Sequence, residues 1–180
     1  MRQSSSIICR FFALLLLLWP CTVVAGEFDR FAGSFTGEAE FVFDGETQRR
    51  DMSTTIVPTK NGFRLSWTSV SHKDDGRAKS KTYNILFEPS GRKHIYSSAM
   101  RTNVFGKDVP LNPLKGEPYV WARLNGDTLS VFSLVIDETG EYEMQEYHRT
   151  LVAEGLELEF IRLRNGGALK EIRTLLHRID

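Results

Sequence analysis

The sequence predicts an all-β protein: an antiparallel up-and-down meander of nine or ten strands that closes into a barrel, after a cleaved signal peptide. Turn signals recur at nearly even spacing, the segments between them alternate apolar and polar residues, and no segment keeps a convincing helical period over three turns. The turn glycines Gly126, Gly140, Gly155 and Gly166 stand 14, 15 and 11 residues apart. This spacing leaves strands of about ten residues, longer than the usual ~5–6.

The first 25 residues have the composition of a secretory signal peptide, so residues 26–180 are expected to form one mature domain. An apolar run from Phe11 to Trp19 precedes a small-residue cleavage site at Val23-Val24-Ala25. This run is shorter than the ~20 residues that a transmembrane helix needs. The alternative is a lipid anchor on Cys21, which is disfavoured because Trp19-Pro20 stands where lipoprotein signals carry a small residue.

Removal of this segment would determine the compartment, the redox chemistry and the charge of the mature protein. A periplasmic or secreted protein is expected. Both cysteines, Cys9 and Cys21, would be lost, and a domain of 155 residues can fold without disulfides. The 23 basic residues of the chain would fall to 21 against 23 acidic ones, a net charge of −2. Nucleic-acid-binding proteins carry a dense basic surface, so no nucleic-acid partner is expected. The sequence does not indicate an oligomeric state.

Strand patterns begin after a short lead at 27–32. In Ser34–Phe43, Phe35 and Phe41 fall on one face and Glu38 and Glu40 on the other, as in a strand with one side in water. Asn61-Gly62 marks a tight turn between two of the next segments. The further strands predicted in this half are Arg50–Thr59, Phe63–His72, Lys79–Glu88 and His94–Met100.

The meander is interrupted between Arg101 and Pro118. Pro110, Pro113 and Pro118 cannot lie in a central strand, because proline lacks the backbone donor that the ladder requires. We expect a crossover loop that covers one end of the fold. The alternative is a lid or portal, since long loops in compact domains are often functional.

The strand pattern resumes with Tyr119–Leu124 and Thr128–Ile136. Leu169–His177 also fits a helical spacing, but the Asn-Gly-Gly before it and the surrounding pattern favour a last strand. So long a meander has two exposed edges unless it closes, which favours a barrel. A two-sheet sandwich is the alternative, but it needs several long connections and only one is present. The turns between the last strands are Asn125-Gly126, Glu138-Thr139-Gly140, Glu154-Gly155 and Asn165-Gly166-Gly167.

Gly33-Ser34-Phe35, at the start of the first strand, resembles the Gly-x-Trp opening of the calycin superfamily, which includes the lipocalins and fatty-acid-binding proteins. Phe35 stands where that family has tryptophan, and no second lipocalin motif is evident. The resemblance implies a closed meander around a small apolar ligand. It also implies that a basic residue of the last strand, Arg173 or Arg178, packs over the ring of Phe35.

The sequence predicts no enzyme, no metal site and no cofactor. It lacks a Gly-x-Ser-x-Gly elbow, a His-Glu-x-x-His motif and a phosphate-binding glycine loop, and Asp74-Asp75-Gly76 lacks the ligand spacing of a calcium loop. A metal bound by two histidines, or haem bound by one, is a disfavoured alternative because no partner for such a ligand can be named. The histidines are His72, His94, His148 and His177.

Aromatic residues expected to point inward supply the candidate site. They either fill the core or form the wall of a ligand cavity with a few polar anchors. The residues expected to point inward are Phe35, Phe41, Phe63, Trp67, Tyr83, Phe87, Tyr119, Trp121 and Phe160. The candidate ligand-binding residues are Trp67, Tyr83, Trp121, Arg123, Tyr147, His148, Phe160 and Arg162.

A barrel that spans a membrane is disfavoured, because the expected outer faces carry charges that a lipid-facing band excludes, among them Glu38, Arg64 and Glu157. The sequence therefore predicts an exported, soluble, non-enzymatic barrel that binds a small apolar or amphipathic molecule. The alternative is a structural or interaction module of the cell envelope with a filled core and a partner docked on the loop at 101–118. The fold alone cannot choose between them.

Overall fold

The computed structural model describes residues 26–43, 45–72, 76–102, 106 and 108–180, and the predicted signal peptide lies outside these residues. Ten strands in this part of the chain form one closed antiparallel barrel, so the predicted fold class is confirmed. The barrel strands are β1 Gly33–Phe43, β2 Glu46–Pro58, β3 Phe63–His72, β4 Ala78–Pro89, β5 Ile95–Ser98, β8 Tyr119–Asn125, β9 Thr128–Ile136, β10 Tyr142–Val152, β11 Gly155–Arg164 and β12 Gly167–Arg178. The short strands β6 Arg101–Thr102 and β7 Asp108–Val109 pair with each other, and η1 Asp29–Phe31 and η2 Pro113–Lys115 are 3₁₀ turns.

Neighbours in the barrel are neighbours in the chain, except where β5 pairs with β8 and where the ends close. Closure pairs the first strand with the last, with Phe35 opposite Arg178 and Thr36 opposite His177. The last segment is therefore a strand, as the sequence favoured over a helix. Among the described residues, no helix has the length and apolar character needed to cross a membrane.

The turns explain why the strands end where they do. In the β11–β12 turn, Asn165 and Gly166 both have positive φ, 48° and 82°, as a type I′ hairpin requires. The side chain of Asn165 also accepts a hydrogen bond from the Tyr142 backbone at 3.0 Å. In the β8–β9 turn the positive φ, 54°, falls on Gly126, while Asn125 still belongs to β8.

The barrel closure is reinforced by Arg178. Its guanidinium carbon lies 4.5 Å from the centre of the Phe35 ring, and its Nη1 donates to the Ala32 carbonyl at 2.5 Å. Gly33 approaches this guanidinium with φ of 139°, a conformation that side chains rarely adopt, and a Cβ there would collide with Nη1. Arg173, the other basic residue considered for the Phe35 contact, instead pairs with Glu159 at 2.6 Å.

One end of the barrel is filled with apolar side chains. The lead segment before β1 contributes two residues to this core. The centre of the Phe28 ring lies 4.4 Å from that of Phe63 and 4.9 Å from that of Tyr96, and Phe31 is fully buried. The sequence pattern did not assign these two residues to the core. Each fully buried side chain of this size contributes ~1.5–3 kcal/mol. Other buried residues at this end include Phe35, Ile56, Leu65, Phe87, Leu124, Leu129, Leu156 and Leu176.

The loop between β5 and β8 has short elements of its own. Asn112 caps η2 by accepting from the Leu114 backbone at 3.0 Å. Glu117 accepts from the Asn112 backbone at 2.9 Å and from Arg101 at 3.1 Å, which ties the two ends of the loop together. η2 packs against β9. The part of the loop that the structure describes does not line the barrel cavity that β2, β3, β4, β10, β11 and β12 form.

Candidate functional site

The other end of the barrel contains a cavity of about 410 Å³. It lies where β2, β4, β10 and β12 begin and where β3 and β11 end, opposite the filled end. Its volume is within the ~300–1,000 Å³ of small-molecule sites. Inward-pointing residues of these six strands line it, among them Arg50, Met52, Thr54, Trp67, Lys81, Tyr83, Glu143, Gln145, Tyr147, Arg149, Leu158, Phe160, Arg162, Lys170 and Ile172.

Four aromatic rings form the wall of the cavity. Trp67 stacks on Tyr83 with centroids 4.7 Å apart, because the β3–β4 register places them opposite each other. The centre of the Tyr147 ring lies 5.5 Å from that of Trp67 and 4.8 Å from that of Phe160. Tyr147 in β10 and Phe160 in β11 stand opposite each other in the strand pairing. Burial raises the pKa of the Tyr147 phenol to about 12, so the phenol is neutral at physiological pH and donates to Gln145 at 2.9 Å. These four residues were all predicted for the site.

Arg149 is the most unusual residue of the lining, because its side chain is only 1% exposed. Its guanidinium carbon lies 5.5 Å from the Trp67 ring centre and 5.6 Å from that of Tyr147. Nε and Nη1 are buried without a hydrogen-bond acceptor among the described residues. Burial lowers the pKa of this group to about 10, which leaves it charged at neutral pH. A buried cation whose donors are unsatisfied is unfavourable, so this arrangement requires an explanation.

A carboxylate also lines the cavity, but it is already paired. Glu143 accepts from Arg162 Nη2 at 2.5 Å and from the Gln145 amide at 2.7 Å. The Arg162 hydrogen bond holds the pKa of Glu143 below its usual value, so this group is anionic at neutral pH. Arg162, predicted from the sequence, therefore lies at the cavity, but its charge is matched by Glu143.

The lining has a strong excess of positive charge. Among the described residues that line the cavity there are six cationic side chains and one carboxylate. The Arg50 side chain is half-buried, and its guanidinium carbon lies 5.3 Å from the centre of the Phe41 ring. Desolvation lowers the pKa of Arg50. The Lys170 ammonium lies 4.0 Å from the same ring centre and 4.6 Å from that of Phe43. The cations are Arg50, Lys79, Lys81, Arg149, Arg162 and Lys170.

Three predicted site residues, Trp121, Arg123 and His148, lie on the outside of the barrel and do not line this cavity. The prediction that Tyr119 and Trp121 point inward was wrong. In β8 the buried positions are Val120, Ala122 and Leu124, so Tyr119, Trp121 and Arg123 face outward. Ala122 lies opposite Tyr96, whose large side chain occupies the interior at this level. A small residue is therefore required inside β8, and the aromatic residues take the other face.

On this outer face, Trp121, Arg123 and His148 all contact the ring of Phe132. Trp121 stacks on Phe132 at 5.1 Å, and the Arg123 guanidinium lies 6.0 Å from the same ring centre. His148 Nδ1 lies 2.8 Å from Ser130 Oγ, and its Nε2 lies 3.1 Å from Glu146. His148 follows Tyr147 directly in β10, so the two side chains must point to opposite faces.

Sequence reasoning missed Arg149, Arg50 and Glu143. The available signal was the alternation of β10: Glu143, Gln145 and Arg149 share a face with Tyr147. The hydrophobic pattern gives no such signal, because it assigns charged residues to the surface. None of the four histidines lines the cavity. The surface of the cavity therefore combines aromatic rings with guanidinium donors.

No family model matches the chain, and neither the curated proteins nor the solved structures contain a significant match.

Proposed function

We propose that this protein is a non-enzymatic binding protein that holds a small amphipathic ligand inside its barrel. The observation that carries the proposal is the cavity of about 410 Å³ at one end of a barrel whose other end is packed. Its lining combines aromatic side chains, which can contact the apolar part of a ligand, with polar and charged side chains, which can fix the orientation of a ligand. The alternative from the sequence, a module with a completely filled core, would not contain such a cavity.

Two related proposals follow from the sequence. The first is that the barrel is calycin-like. It is supported by the contact of Arg178 with Phe35 at 4.5 Å and by the pairing of β1 with β12. The second is that the chain is exported and acts in the periplasm or outside the cell, which is supported by the signal-peptide composition of residues 1–25.

A neutral fluorescent probe, N-phenyl-1-naphthylamine, tests the binding proposal without any contribution from ligand charge. We expect its fluorescence to rise on saturable binding to the purified protein. Trp67→Ala removes one wall of the cavity and should weaken binding at least tenfold, while Trp121→Ala on the outer face is the matched control. A linear, unsaturable signal, or equal losses in the two variants, would count against the proposal. Native mass spectrometry of the purified protein would then identify a ligand that copurifies.

A further inference from the structure

The cavity lining contains the Arg149 guanidinium, two of whose nitrogens have no hydrogen-bond acceptor in the described part of the protein. We propose that the ligand is an amphipathic organic anion, and that its carboxylate or phosphate group accepts hydrogen bonds from Arg149 at the inner end of the cavity. This inference rests on the proposed function, since it requires that the cavity holds a ligand at all. It adds the chemical class of the ligand and its orientation.

The first step is the state of the Arg149 guanidinium. Two of its three nitrogens, Nε and Nη1, are buried without acceptors among the described residues, and the side chain is 1% exposed. Its partners across the sheet on both sides, Leu129 and Leu158, are apolar and offer no acceptor through their side chains. The contacts with Trp67 and Tyr147 stabilise the cation but use the faces of the aromatic rings, not the N–H donors. An anionic group would satisfy these donors with charge-assisted hydrogen bonds.

The second step is the charge of the remaining lining. Glu143, the carboxylate among the described lining residues, is held by Arg162 and lies six positions from Arg149 along β10. It therefore does not neutralise Arg149. Arg50, a second arginine of the lining, adds a third buried donor without an acceptor among the described residues, its Nε. Cationic groups that line a cleft with low-dielectric walls concentrate anions there.

The third step is the orientation of the ligand. From the outer end of the cavity toward the filled end, β10 presents Glu143, Gln145, Tyr147 and Arg149 in that order. Arg149 is thus the innermost polar group of this strand in the lining, beneath the ring of Tyr147. The anionic end of the ligand would lie deepest, and its apolar body would contact Trp67 and Phe160. A ligand of this class therefore enters with its charged end first.

The test compares probes that share one ring system but differ in charge: naphthalene-2-carboxylate, 2-naphthyl phosphate and naphthalene-2-methanol. Their affinities for the protein are measured by isothermal titration calorimetry. We expect at least one of the anions to bind tenfold or more tightly than the alcohol, a difference of about 1.4 kcal/mol. Whether the carboxylate or the phosphate binds more tightly distinguishes the two head groups.

Arg149→Met retains the length and the apolar stem of the side chain but removes the charge. We expect it to reduce the preference for the anion to less than threefold. Arg123→Met, on the outer face, is the control and should keep the full preference. In thermal unfolding, the preferred anion should raise the melting temperature of the wild-type protein by more than that of Arg149→Met, because the variant binds the anion more weakly. Without probe, Arg149→Met should be at least as stable as the wild type, because it removes a buried cation whose donors are unsatisfied.

The outcomes separate this inference from the proposed function. If the alcohol and both anions bind the wild-type protein equally, the anion proposal is wrong and cavity binding stands. If neither these probes nor N-phenyl-1-naphthylamine binds, both are wrong. An anion preference that survives in Arg149→Met would overturn the role of Arg149. Should Arg149→Met fail to fold, Arg149→Gln and the wild-type comparison of anion with alcohol still decide the question.

Discussion

Two leucines on β11 allow the filled and the hollow end of the barrel to be compared directly. Leu156 and Leu158 are two positions apart on the same inward face, and both are buried. Leu158 lines the cavity, whereas Leu156 packs in the filled end opposite Leu176. The substitutions Leu156→Ala and Leu158→Ala therefore remove the same atoms from one strand, but in two different surroundings.

The expected magnitudes follow from this difference. Each substitution removes three carbon groups from an apolar environment, worth about 0.8 kcal/mol each, or about 2.4 kcal/mol in total. In a packed core the new void adds about 24 cal/mol per Å³, and Leu→Ala substitutions there cost ~2.7–5 kcal/mol. Leu156→Ala should lower the free energy of unfolding by about 4 kcal/mol, near the middle of that range. Leu158→Ala only enlarges an existing cavity and should stay near the transfer value of about 2.4 kcal/mol.

The assay is urea unfolding of both variants and the wild type, followed by circular dichroism. Because both variants keep the same fold, the dependence on urea should be unchanged and the midpoints alone should move. A difference of about 1.5 kcal/mol corresponds to roughly 3–6 °C in melting temperature for a domain of this size. Equal losses in the two variants, or a larger loss for Leu158→Ala, would refute the view that the barrel is packed at one end and hollow at the other.

Arg178→Met should lower the free energy of unfolding by about 1–2 kcal/mol in chemical denaturation, because it removes the contact with Phe35 and the hydrogen bond to the Ala32 carbonyl. Arg173→Met removes only exposed ion pairs, those with Glu159 and Glu171, and should change the free energy of unfolding much less than Arg178→Met does; an equal or larger effect would contradict this ranking. The hydrogen bond from Tyr96 lowers the pKa of Glu27 in the folded protein. The ionised Glu27 therefore stabilises the fold above the unfolded pKa of about 4.3, and this stabilisation is lost as the pH falls through the lower pKa of the folded state. Glu27→Gln should therefore flatten the acid limb of a stability–pH profile, and an unchanged limb would contradict this assignment.

The fold was predictable from the sequence because turn chemistry and alternation are local properties. Asn165-Gly166 takes two positive φ angles that few other residue pairs tolerate, so it sets the β11–β12 hairpin. The even spacing of such turns implied a long meander, and the need to pair its edges implied closure. The contact of Arg178 with Phe35 was foreseen as one of two choices, because both basic residues lie on the last strand.

The side of the sheet that each strand turns inward was less predictable. In β8 both faces carry apolar residues, so alternation cannot tell Val120 from Trp121. The outcome depends on Tyr96, a residue of another strand that fills the interior opposite Ala122. Phe28 lies before the first strand and carries no periodic signal, yet it is part of the core. These features depend on tertiary packing and not on the local pattern.

The residues of the candidate site that the sequence predicted are its four aromatic residues and Arg162. Trp67, Tyr83, Tyr147 and Phe160 share the cavity because cross-strand register brings them together. Arg149 could not be foreseen from hydrophobicity, since arginine is almost never fully buried unless it is paired. Its alternation with Tyr147 was the one available signal.

Proton–nitrogen NMR of residues 26–180, whose two indole groups are those of Trp67 and Trp121, tests the internal binding site most directly. Trp67 lines the cavity and Trp121 faces outward, so the two signals report on the inside and the outside of one barrel. Trp121→Phe assigns them. The binding site proposed here predicts that naphthalene-2-carboxylate shifts the Trp67 signal in a saturable way and leaves the Trp121 signal in place. A shift of Trp121 with Trp67 unchanged would contradict it.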